Sequence, residues 1–67
     1  MGKYASEVQW RKAEMEKVPS RMRIAWALGA IKGITELKTA PRDKVAAIRA
    51  TIQALEELEA QEDGDEE

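Results

Sequence analysis

Cysteine, histidine and phenylalanine are absent from this 67-residue chain, and each absence removes a class of explanation. Without cysteine there is no disulfide, no thiolate metal site and no signature of the redox compartment. Without histidine the commonest neutral metal ligand is missing, as is the side chain best suited to proton transfer near neutral pH. Tyr4, Trp10 and Trp26 are the whole aromatic complement, so apolar burial rests on Ile, Leu, Val, Met and Ala. A core of that kind in so short a chain supplies only ~3–5 kcal/mol, and oligomerisation is a common remedy.

Catalysis has little to build on. A nucleophile paired with a base is not available, and Ser6, Ser20, Thr35 and Thr39 sit near breaks or the N-terminus. No glycine-rich phosphate loop follows a strand, and Asp63-Gly64-Asp65 does not extend into a calcium-binding loop. The expectation is a protein that is not an enzyme and uses no cofactor or metal. The longest apolar stretch, 24–37, is interrupted by Lys32 and Glu36 and is shorter than the ~20 residues a bilayer requires. The N-terminal residues do not form a secretory signal. A cytoplasmic, soluble protein without membrane contact is the default.

What is present is helical pattern, punctuated by Pro19 and Pro41. Ser20 can cap a helix beginning after Pro19. Pro41 suits a first helical turn, with Asp43 placed to favour the helix dipole. The spacing predicts helices over 4–17, 20–38 and 41–60, forming one domain over 1–60. The polar, mostly acidic residues 61–67 are expected to be a disordered tail.

The third helix is the most regular. Val45, Ile48, Ile52, Leu55 and Leu58 form an apolar stripe of the kind seen in bundle seams. Ala46, Ala47, Ala50 and Ala54 leave small flanks where another helix can approach. The second helix is apolar over about two-thirds of its circumference, with only Arg21, Ala25, Gly29, Lys32 and Glu36 suited to water. Such a helix must be covered on more than one side, which makes it the expected centre. The first helix is a poor cover: Tyr4, Val8, Met15 and Val18 form its best face, Arg11 intrudes, and Trp10 points elsewhere. The expected fold is therefore all-α, three helices, with the second and third as an antiparallel hairpin that self-association completes into a bundle. Met22, Trp26, Ala30, Gly33, Ile34 and Leu37 are the candidate oligomer interface.

Charge is split along the chain. Residues 1–38 carry eight Lys/Arg against four Glu, and residues 39–67 carry three Lys/Arg against nine Asp/Glu, which sums to the net −2. Arg11, Lys12, Lys17, Arg21 and Arg23 form a basic group where the first two helices join. With Trp10 able to stack on a base, this group could bind phosphates. The plainer reading is a solvated face offset by Glu7, Glu14 and Glu16. Trp10 off its stripe reads either as an interface anchor or as a cap on the core edge. Gly29 and Gly33 form a small-xxx-small pair that either admits a close helix or is simply tolerated. The acidic residues from Glu56 onward serve a basic partner or merely solvate the terminus.

The segment Thr39-Ala40-Pro41-Arg42-Asp43-Lys44-Val45-Ala46-Ala47-Ile48-Arg49-Ala50 resembles helix starts in small phage proteins, small terminase subunits among them. It spans under a fifth of the chain, and the resemblance implies a phage or mobile-element origin without assigning a role to any residue. A dimer of two-helix hairpins is similar in architecture to small plasmid regulators. Two functions compete. The favoured one is a non-enzymatic helical interaction or regulatory protein, a homo-oligomer that docks onto a protein partner. The other is a nucleic-acid-binding protein of phage or plasmid type using the basic group. Helix-turn-helix geometry would make the third helix the reader, yet that helix carries Glu56, Glu57 and Glu59.

Overall fold

A computed structural model describes the backbone of residues 2–66 and the side chains of residues 2–61. It contains α1 (Lys3–Glu16), a single 3₁₀ turn (Ser20–Met22), α2 (Arg23–Thr35) and α3 (Pro41–Glu66). The fold is all-α, and α3 packs against both α1 and α2, which makes α3 the centre rather than α2.

Helix α2 is shorter than the apolar pattern predicts, at both ends. After Pro19 the chain first makes a tight turn, Met22 N–H donating to Pro19 O at 2.8 Å, and α-helical bonding begins only at Arg23. Ser20 makes no side-chain cap there; it lies within the turn itself. At the other end Leu37 N–H bonds to Ile34 O, the shorter ring that closes a helix. Ala40 precedes a proline, which disfavours helical backbone, so the residues before it are released as a loop. Lys44 Nζ donates to Thr35 O at 3.0 Å, a cation on a helix C-terminal carbonyl. Pro41 and Asp43 do occupy the first turn of α3. That helix continues in backbone to Glu66, past the expected end at residue 60. The expected disordered tail, 61–67, falls almost wholly outside the residues whose side chains are described.

The core is built on alanine. Ala50 and Ala54 of α3 are fully buried, with Leu58 nearly so, and they face Val8 and Met15 of α1 and Ala27 of α2. Thr51 joins this strip because its hydroxyl is satisfied within the helix, donating to Ala47 O at 2.8 Å. Of the aliphatic stripe expected to line the core, Leu58 does so and Leu55 packs against it, while the N-terminal members turn away. Val45 and Ile52 are exposed, while Ile48 and Leu55 are half-buried. Small side chains let two helices approach one, so the alanine flank wins the contact over the bulkier stripe.

A buried arginine joins α1 to α2. The Arg23 Nε–H is shared between Met15 O at 2.9 Å, which also accepts the Val18 N–H, and Val18 O at 3.1 Å, just past the end of α1. Arg11, which seemed to intrude on the face of α1, is buried there with its charge met by Glu7, Nη2 to Oε1 3.0 Å.

Gly29 and Gly33 do not serve a close helix contact within the chain, since a Cβ on either would meet nothing within 4 Å. Gly29→Ala should therefore raise stability by about 0.8–1.0 kcal/mol through helix propensity alone, read by chemical denaturation. Ala54→Leu should lower it by about 1–3 kcal/mol through overpacking, a drop in melting midpoint of roughly 4–8 °C per kcal/mol. Ala13→Leu, on the exposed side of α1, should stay within about 0.5 kcal/mol of the parent.

Candidate functional site

Trp10 sits on the outer side of α1 and is 46% exposed, yet it is not free to wander. The Arg11 guanidinium lies 4.4 Å from the centre of the indole, a cation–π contact. The indole Nε1–H donates to Glu7 Oε2 at 3.3 Å, and the other oxygen of the same carboxylate accepts from Arg11 Nε at 3.1 Å. Glu7, Trp10 and Arg11 are thus one cluster, set by the i, i+3 and i, i+4 spacing of α1. The cluster orients a large apolar side chain at the surface.

Beside it runs a groove of about 590 Å³ between the N-terminal half of α1 and the α2–α3 connection. Tyr4, Trp10, Ile34, Leu37, Ala46 and Ala47 supply its apolar wall, and Lys3, Glu7 and Asp43 put charge around it. It is open along one side, a shape that suits a side chain of another macromolecule more than an enclosed metabolite.

From Tyr4, which lines the groove, a hydrogen-bonded chain outside it ties α1 to α3. Tyr4 Oη–H donates to Gln53 Oε1 at 2.7 Å, Gln53 Nε2 donates to Glu57 Oε2 at 3.0 Å, and Lys12 Nζ donates to Glu57 Oε1 at 3.0 Å. The Gln53 hydrogen bond first, then the Lys12 hydrogen bond and charge, hold the Glu57 carboxyl below its ordinary value, outweighing the opposite push of burial.

These contacts decide the fate of the basic group. Of its five members, Arg11 is paired with Glu7, Lys12 with Glu57 and Lys17 with Glu14 at 3.4 Å. Arg23 is buried against backbone carbonyls, so it is not a surface for partners. Arg21 is exposed on the turn. The five residues therefore do not converge into one field. The candidate oligomer residues are also divided: Ile34 is buried, Trp26 and Ala30 are half-buried, and Met22, Gly33 and Leu37 are exposed. The role of Glu7 was missed although its i, i+3 and i, i+4 spacing to Trp10 and Arg11 was there to read, whereas the groove requires α1 and the α2–α3 connection to be seen together.

Among the described residues, no group of three or more carboxylates converges as a metal would require, and no helix is long and apolar enough to cross a membrane. No family model, curated protein or solved structure matches this chain.

A carboxyl whose folded pKa is depressed stabilises the fold above its unfolded value, and that contribution is lost as pH falls through the folded value. The melting midpoint should therefore fall on acidification below the ordinary glutamate range of about 4.3. In Gln53→Ala the Glu57 titration, followed by side-chain NMR, should move back up towards that range.

Proposed function

We propose that this chain is a small, non-enzymatic helical interaction protein that self-associates and docks onto a protein partner through the groove beside Trp10. The observation that carries the reading is a half-exposed tryptophan held in place by its neighbours. An exposed Trp ordinarily loses conformational freedom on binding; one already fixed by Arg11 and Glu7 loses less. Tryptophan is among the residues most enriched where binding energy concentrates. The partner chemistry that suits the groove is an apolar side chain flanked by polar or charged groups, since Lys3, Glu7 and Asp43 rim an otherwise apolar wall.

Self-association is supported by the apolar surface that the fold leaves uncovered: Met22, Ile24, Leu28, Leu37, Val45 and Ile52 remain exposed.

The nucleic-acid reading draws less support, because three of the five basic side chains are already paired with carboxylates and a fourth is buried. Affinity capture from extract of the source cell should retain a defined protein on the parent chain and lose it on both Trp10→Ala and Leu37→Ser. Retention unchanged by either substitution would overturn the groove assignment. Titration with DNA and RNA at low salt should produce no shift; salt-sensitive binding would favour the nucleic-acid reading instead.

A further inference from the structure

Two strips of aliphatic side chains, exposed or half-buried, lie outside the groove and beside the core, against which Leu55 also packs. On α2, Ile24 and Leu28 are 59% and 62% exposed and Ile31 is half-buried beside them. On α3, Val45 and Ile52 are exposed, and Ile48 and Leu55 complete the stripe at spacings of three, four and three. At about 100° per residue each strip occupies an arc of less than a quarter-turn.

The strips face the same way. On α2 the exposed residues Ile24, Leu28 and Ile31 lie about 80–90° round from the buried Arg23, Ala27 and Ile34, in the sense in which the chain advances. On α3 the stripe lies in the same rotational sense from Thr51 and Leu58 on the buried side. Two antiparallel helices are related by a local twofold, so equal rotation puts both strips on one side of the hairpin. Helix α1 occupies the other side, because it meets α3 at Gln53 and Glu57, on the far flank of the alanine strip.

About its centre each strip carries one aliphatic four residues before and one three residues after, while seven residues out Val45 has Glu59 as its counterpart. On α3, Ile52 is a centre with Ile48 and Leu55 on either side; on α2, Leu28 is a centre with Ile24 and Ile31 on either side. The two centres are level. Thr35 O is bonded to Lys44 Nζ, and Leu28 lies seven residues before Thr35 as Thr51, next to Ile52, lies seven after Lys44. A single twofold axis can therefore pass both centres.

From this we infer that the face made by Ile24, Leu28, Ile31, Val45, Ile48 and Ile52 is the homodimer interface, its occupant a second copy in antiparallel register about Leu28 and Ile52. The occupant is set by complementarity with itself. In this register Ile48 packs against the partner's Leu55 and Ile24 against the partner's Ile31. The same axis brings Arg49, on one flank of the stripe, beside the partner's Glu56, and the reciprocal pair forms by symmetry. Opposite charges thus meet at two places along one flank of the seam. The product is a four-helix core of two α2–α3 hairpins with the α1 helices outside. It leaves the Trp10 groove, on the other side of the hairpin, open in both copies.

This inference rests on the self-association half of the function proposed above, and the two can fail separately. Sedimentation equilibrium of the full chain over a concentration series should give a dimer. Leu28→Glu and Ile52→Glu should each weaken it at least about a hundredfold by placing an uncompensated charge in the seam. Circular dichroism should show both variants still helical, with Leu28→Ser as a milder check. Arg49→Glu should weaken the dimer up to about fivefold, and adding Glu56→Arg should restore it. Because the chain has no native cysteine, Leu28→Cys or Ile52→Cys should form an intermolecular disulfide on oxidation, and Ala13→Cys should not. A monomer at every concentration would overturn both this face and the self-association reading. A dimer that survives Leu28→Glu and Ile52→Glu would overturn this face and leave self-association standing.

Discussion

Everything in this fold depends on one strip of small side chains along α3. Ala47, Ala50 and Ala54, with Thr51 satisfied internally, leave a shallow track on which both α1 and α2 can lie. Close approach recovers dispersion contact that a wider spacing would forfeit, since packing energy falls off steeply across even a small gap. The same choice has a cost. Alanine buries little apolar area, so the core is well packed but modest, with Met15 and Leu58 as its largest contributors. The bulky aliphatics of α2 and α3 are left on the outside, where they are unfavourable unless something covers them.

Charge is used largely to close the molecule upon itself. Arg23 bonds carbonyls where α1 ends, Lys44 caps the end of α2, and Lys12 reaches across to Glu57 on α3. Each contact replaces water around a group that the fold would otherwise leave unmatched, and the described residues contain no buried side-chain nitrogen or oxygen without a hydrogen-bond partner. The exposed pairs contribute little individually to stability. Their larger consequence is to remove positive charge from the surface. Within the basic group Arg23 and Lys12 tie helices together and Arg11 is held on its own helix, while Lys17 and Arg21 stay at the surface.

The result is a thin body with two differently built faces. One carries the Trp10 groove, in which an aromatic side chain is prearranged by a cation and a carboxylate one turn away. The other carries aliphatic strips, ending on α3 at Glu59. A small chain gains from separating such surfaces, because partner binding at one then leaves the other available.

The three helices, their approximate order and the hairpin of the last two were legible in the residues. Apolar spacing, Pro41 and Asp43 are local signals, and local backbone chemistry obeys them. The end of α2 at Thr35, three residues before the apolar pattern predicts, is closed by the Leu37 N–H bond to Ile34 O, which apolar periodicity does not show. Which helix is central was not legible. Hydrophobicity points to α2, whereas the position was decided by whether neighbours can approach, and that favoured the alanines of α3. The wheel of α1 does place Glu7 beside Arg11, but not the burial of Arg11 or the groove at Trp10, because the wall of that groove comes from residues more than twenty positions away. Periodicity in a sequence determines which residues share a face. Only tertiary packing decides which face is covered, because that depends on the size and shape of what lies opposite.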